Sequence, residues 1–127
     1  MQEKHLYEYA IIRLVPRVER EEFLNVGVIL YCADQNYLKT KFELRHDKFR
    51  VVSDGLDIEE LTARLCSFQQ ICSGMEQGGS IAKLPIAERF RWLTAARSTM
   101  IQLSPVHPGL CEDAEETLDK LYLSLVQ

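Results

Sequence analysis

The hydrophobic positions run at a strand period in the first third of the chain and at a helical period through most of the rest. Leu6 to Val15 (LYEYAIIRLV) is aromatic, β-branched and mostly apolar on both parities, which predicts a central strand. Pro16 removes a backbone donor and ends it. The charged run Arg17 to Glu22 predicts a solvated loop or a single helical turn. Leu24 to Ala33 (LNVGVILYCA) predicts a second strand, with Leu24, Val26, Val28, Leu30 and Cys32 as one apolar face. Asn25 and Gly27 open the other face, and a glycine inside a strand marks a bulge or a close approach to the backbone. Asp34-Gln35-Asn36 predicts the turn of an antiparallel hairpin. Tyr37 to Leu44 (YLKTKFEL) then alternates, with Leu38, Thr40, Phe42 and Leu44 inward and Lys39, Lys41 and Glu43 outward, as a sheet edge would.

After an ambiguous stretch from Arg45 to Ser53, the period lengthens. Asp57 and Glu60 form a capping pair. Ile58, Leu61, Leu65, Phe68, Cys72 and Met75 follow at steps of three and four, the stripe of an amphipathic helix. Gly74, Gly78 and Gly79 end it. Pro85 suits the first turn of a second helix carrying Ile86, Phe90 and Leu93. Arg97-Ser98-Thr99 predicts a turn, Thr99 to Leu103 a fourth strand, and Ser104 to Gly109 a loop stiffened by Pro105 and Pro108. Glu112 to Val126 predicts the last helix, acidic in its first turn, with Ala114, Leu118, Leu121, Tyr122 and Leu125 as its inner stripe. The expected fold is therefore one α+β domain over residues 1–127, an antiparallel sheet of about four strands beginning as a meander, with helices on one face in two layers.

Composition narrows the function classes. The 15 basic and 19 acidic residues give a net charge of −4, which argues against bulk electrostatic binding to nucleic acid or an anionic membrane. Cys32, Cys66, Cys72 and Cys111 make no C-x-x-C pair and have mostly apolar neighbours, so each reads as a small buried hydrophobe in a reducing compartment. The first ten residues have no signal-peptide pattern, and no stretch reaches the length of a membrane span. These features predict a cytoplasmic protein. Gly78-Gly79-Ser80 lacks the Gly-Lys-Ser/Thr ending of a phosphate loop, and neither a metal-ligand cluster nor a cofactor motif is present.

Three segments together resemble the bacterial domain-of-unknown-function family 3037: YEYAIIRLVPRVEREEFLNVGVILYC, ERFRWLTAARST and QLSPVHPGL, in that order. The resemblance covers nearly the whole chain. It implies Arg13, Asn25, Arg89, Arg97, Ser98, Ser104 and His107 as the matching polar positions. The family pattern has Pro where this chain has Ala96, and Thr where it has Pro108. Family members are often encoded beside a HipA-like kinase-fold protein, which implies a partner role.

Candidate chemistry concentrates between Glu88 and Gly109, which holds the only tryptophan, Trp92. Arg13 sits in an otherwise apolar strand and needs a partner, either a carboxylate such as Glu22 or a ligand. His107 is the natural general base, with Ser98 or Ser104 as nucleophile, but no orienting carboxylate is nominated, so no catalytic residue is assigned. Arg89 and Arg97 could bind phosphate or carboxylate bidentately, or pair with Glu88, Glu112 or Asp113. Arg and Trp are favoured at interface hot spots, and Arg89, Arg91 and Trp92 share a helix. The leading expectation is an accessory or protein-interaction domain that uses Arg13, Asn25, Arg89, Trp92, Arg97, Ser98, Ser104 and His107, without metal or cofactor. The alternative is a small-ligand or anion-binding domain, and a hydrolase or transferase using His107 stands third. A HipA-like protein is the expected partner, a homodimer is left open, and nucleic acid and membrane are not expected.

Overall fold

A strand that is apolar on both parities must be covered on both faces, and that requirement organises the molecule. A computed structural model describes residues 3–15, 24–43, 58–95 and 101–126. Its antiparallel sheet has five strands: β1 (His5–Leu14), β2 (Leu24–Cys32), β3 (Tyr37–Phe42), β4 (Ile101–Leu103) and β5 (His107–Cys111). β1 is central, with β2 and then β3 on one side. β4 and β5 share its other side, β4 beside Ile12 to Leu14 and β5 beside His5 to Tyr9. The three α-helices among the described residues are α1 (Ile58–Cys72), α2 (Ile86–Ala95) and α3 (Ala114–Leu125).

The α+β class and the antiparallel sheet match the expectation; the layering does not. Ala10, Ile12 and Leu14 of β1 pack under α1 and α2 with Leu61, Leu65, Phe68, Phe90 and Leu93. The alternate positions Tyr7 and Tyr9 join Val28, Leu30 and Cys32 under α3, against Ala114 and Leu118. Helices therefore cover both faces, in three layers rather than two. The cause is visible in β1 and β2, whose two parities are both apolar.

The second strand does not present one continuous apolar face. Ile12 pairs with Gly27 but Arg13 pairs with Asn25, so Val26 is an extra residue. This bulge puts Leu24 and Val26 on the α1–α2 face, while Val28, Leu30 and Cys32 stay on the α3 face. Gly27 is required beside the bulge, because a Cβ there would lie 2.7 Å from both the Lys41 carbonyl oxygen and the Phe42 Cβ.

The stretch expected to be a loop is the second irregularity. Ile12 pairs with Leu103 and Tyr9 with His107, so three residues, Ser104 to Val106, span two on β1. His107 to Gly109 then continues as strand β5, the fifth strand. Pro108 is tolerated there because β5 is an edge. The fourth strand is antiparallel to β1, which settles its direction.

Local signals set the helix ends. Leu61, Leu65, Phe68 and Cys72 are buried, whereas Met75 lies past the end of α1 and is exposed. Gly74 takes φ +72°, its N–H bonds the Ile71 carbonyl, and the Met75 N–H bonds the Gln70 carbonyl, a Schellman ending. α3 starts at Ala114, two residues later than expected. Its cap comes from another element: the Gln35 side-chain oxygen accepts from the Ala114 N–H at 2.8 Å, and its nitrogen donates to the Glu112 carbonyl at 2.8 Å. Asp57, the Arg45 to Ser53 stretch and the charged run after Pro16 lie outside the described residues. Of the four thiols, Cys32, Cys72 and Cys111 are buried, but Cys66 is exposed, against expectation.

Candidate functional site

α2 carries two apolar faces of different kinds. Phe90 and Leu93, three residues apart, are buried on the sheet, and Phe90 stacks on Tyr31 at 5.3 Å. Trp92 is one helical step off that face and remains 45% exposed. It stands at the rim of a groove of about 450 Å³ between α1, α2 and β4. Ala63, Ser67, Phe68 and Ile71 form the α1 wall, Trp92 and Leu93 the opposite wall, and Ile101 and Leu103 the floor. Glu60 and Arg64 close one end, joined at 3.1 Å. The span from Glu60 to Ile71 is about 16 Å of helix, or three turns. The signal for this groove lay in α1: small side chains at 63 and 67, four apart, flank its apolar stripe and leave room beside Trp92.

The other candidates go elsewhere. Arg89 is a structural tie. Its Nη1 donates to the Ala82 carbonyl at 3.0 Å, and its guanidinium lies against Gly74 at the C-terminal end of α1, where the helix dipole favours a cation. The expected carboxylate partners of Arg89 are replaced by a backbone carbonyl. Ser104 is buried and fully engaged. Its N–H donates to the Ile11 carbonyl at 2.9 Å, its Oγ accepts from the Ile11 N–H at 2.8 Å, and the same hydroxyl donates to the Pro105 carbonyl at 2.9 Å. It repairs the ladder across the break between β4 and β5.

Arg13 and Asn25 are cross-strand neighbours at the far end of β1, and Asn25 Nδ2 donates to the Leu125 carbonyl at 3.1 Å. They therefore sit beside the C-terminus of α3, the negative end of its dipole. His107 is exposed, tilted against Tyr9 with ring centroids 5.4 Å apart. Tyr9 and Arg13 are four residues apart on β1, about 13 Å, so Arg13, Asn25 and His107 do not share one concavity. Among the described residues no carboxylate hydrogen-bonds the His107 ring, and no three metal-ligating side chains gather. Arg97 and Ser98 lie outside the described residues. Burial pushes the Cys72 thiol up to about 11, and it accepts from Thr40 Oγ1 at 3.1 Å. Such a thiol stays protonated at neutral pH and is a poor nucleophile.

The class these features define is a small antiparallel α+β domain with helices on both faces and a surface groove beside an exposed tryptophan. The family model described as "Protein of unknown function (DUF3037)" matches residues 9–126, and the chain belongs to that family. No curated protein and no solved structure matches the chain. Among the described residues no helix is long and apolar enough to cross a membrane.

Proposed function

We propose that the protein is an accessory, protein-interaction domain whose docking site is the groove beside Trp92. The observation that carries this reading is a 45% exposed tryptophan on the rim of a groove lined mainly by apolar side chains. A tryptophan continuous with an apolar groove forms the kind of contiguous exposed patch that marks interaction sites, and tryptophan is among the residues that dominate interface energies. The groove is three helical turns long and open at the surface, which suits the apolar side of a partner helix. A HipA-like kinase-fold protein, implied by the family resemblance, is the partner to test, in the cytoplasm of a bacterium.

The decisive experiment titrates that protein against wild type, Trp92→Ala and Leu123→Ala, the last an exposed leucine on α3 well away from the groove. Trp92→Ala should weaken binding about thirtyfold, the size of a 2 kcal/mol hot spot. Leu123→Ala should leave it unchanged. Equal effects of the two, with both variants folded, remove the groove from the reading. A small apolar ligand is the second reading, since about 450 Å³ lies within the range of ligand pockets. Among the described residues the anion version has less behind it: Arg89 Nη1 is held by the Ala82 carbonyl and the Arg13–Asn25 pair lies at a negative helix end, while Arg97 and Ser98 lie outside the described residues.

A further inference from the structure

The two edges of the sheet differ in charge. β3 carries Lys39 and Lys41, the usual guard of an exposed edge. An antiparallel pair of β3 strands centred on Thr40 would set Lys39 against Lys41, so that edge repels its own copy. From Ile101 to Cys111, across β4 and β5, there is no Asp, Glu, Lys or Arg. Leu110 on β5 is 66% exposed, and its cross-strand neighbour Leu6 on β1 is 55% exposed. Leu6 has the parity of Ala10, Ile12 and Leu14, so this leucine pair extends the apolar α1–α2 face out to the edge. Among the described residues no strand pairs the outer side of β5.

The backbone groups of that edge follow from the register. In an antiparallel ladder a residue points its N–H and C=O to the same neighbour, and the next residue points both away. The Ser104 N–H donates to the Ile11 carbonyl, so the odd positions of β1 face β4 and β5. Their partners on β5, His107, Gly109 and Cys111, face inward, which leaves Pro108 and Leu110 facing outward. Because Cys111 turns its carbonyl toward His5, the N–H of the following peptide, that of Glu112, also points outward. Pro108 has no N–H. From Pro108 to Glu112 the edge therefore has two donors, at Leu110 and Glu112, and two acceptors, at Pro108 and Leu110. The Glu112 carbonyl is not among them, since it accepts from Gln35 Nε2 at 2.8 Å.

We propose that β5 pairs antiparallel with β5 of a second copy of this chain, about a two-fold axis at Leu110. The set of donors and acceptors is complementary to itself in that register. The Leu110 N–H of each copy meets the Leu110 carbonyl of the other, and the Glu112 N–H of each meets the other's Pro108 carbonyl. The donor that Pro108 lacks falls opposite the Glu112 carbonyl, which Gln35 already occupies. The side chains agree. Leu110 faces Leu110 with a Leu6 behind each, a row of leucines across the joint. The nearest like charges, Glu8 of one copy and Glu112 of the other, stand on either side of Pro108, about 10 Å apart and largely screened. The dimer surface does not include the groove at Trp92.

Sedimentation equilibrium of the full chain from about 10 μM to 1 mM covers the affinity expected of so small an interface. Wild type should be dimeric at the upper end, and Trp92→Ala should behave like it. Leu110→Lys and Leu110→Glu, at an exposed position, should each weaken the dimer at least about tenfold, because like charges then meet at the axis. An equimolar mixture of those two variants should dimerise again, since an axis at Leu110 sets one charge against the other. Amide hydrogen exchange at Leu110 and Glu112 should slow as the wild-type concentration rises and stay fast in each variant alone. A wild type that stays monomeric throughout overturns the proposal, as does a mixture that fails to recover. A dimer abolished by Trp92→Ala, or one that leaves those two amides unprotected, also overturns it, because the copies would then meet elsewhere.

Discussion

The two faces of the sheet are held by different means. The α1–α2 face is an apolar layer, in which Leu61, Leu65, Phe68, Phe90 and Leu93 interlock with Ile12, Leu14, Val26 and Ile29. Thr40 ties it to the end of α1, its hydroxyl donating to Cys72 Sγ at 3.1 Å. The α3 face has a smaller buried core and a perimeter of polar bonds. Gln35 caps the start of α3, Lys39 and Lys41 hold its outer flank, the Tyr122 hydroxyl donates to Glu43 at 3.1 Å, and Asn25 Nδ2 donates to the Leu125 carbonyl. Burial supplies most of the free energy and little of the geometry. A helix on a thin core therefore depends on directional bonds to fix its place. The face rich in burial can leave a groove open.

The sharpest way to break this comparison is to delete the same side chain from both layers. Leu65 is fully buried under α1, and Leu118 is nearly so under α3. Leu65→Ala should cost about 3 to 5 kcal/mol, and Leu118→Ala about 2 to 3 kcal/mol because a thinner layer relaxes around the cavity more easily. Urea unfolding of both variants measures the difference. If Leu118→Ala proves as costly as Leu65→Ala, the two faces are held in the same way and the distinction fails.

A smaller effect tests the perimeter. Gln35→Ala removes the acceptor of the Ala114 N–H and the donor to the Glu112 carbonyl, and should cost about 1 kcal/mol, the usual worth of a helix N-cap. Local opening at the start of α3 should rise with it, seen as faster amide exchange from 114 to 117 and unchanged exchange in α1. Uniform acceleration through both helices would mean that the cap carries no positional role.

Much of this was legible in the residues. The period of two through β1 to β3 and the three-four spacing of α1 and α3 gave those elements, and Gly27 beside Asn25 marked the bulge. The layering was open to the same reasoning: β1 reads apolar on both parities, and that demands cover on both sides. What escaped was non-local. Ser104 to Gly109 carries two prolines and a glycine, the local chemistry of a loop. Only pairing with β1, across some ninety-three positions of sequence from Ile11 to Ser104, makes part of it a strand. Arg89 reads as an anion ligand or the partner of a carboxylate until the Ala82 carbonyl and Gly74 come into view. The candidate site was half legible. Trp92 stood out by type, but Ala63 and Ser67 matter for what they lack, and absence of bulk has no meaning until the opposite wall is placed.

The finest test concerns the ion pairs on the flank of α3. Lys41 and Asp119 are 3.0 Å apart and both about half exposed, with side-chain accessibilities of 44% and 55%. Water and salt screen such a pair, so its coupling in a double-mutant cycle of Lys41→Ala and Asp119→Ala should be about 0.2 to 1 kcal/mol. The Lys41 ammonium also lies 5.0 Å from the centre of the Tyr122 ring. That contact survives removal of the carboxylate, so Lys41→Ala should cost slightly more than Asp119→Ala. Raising the salt to 1 M should shrink the coupling while leaving the Gln35→Ala cost intact, because the cap is a short hydrogen bond and the pair is a screened charge interaction. If salt reduces both alike, the perimeter of α3 is held mainly by charge. If it reduces neither, the lysines act through their alkyl stems on Tyr37 and Tyr122, and the perimeter is apolar after all.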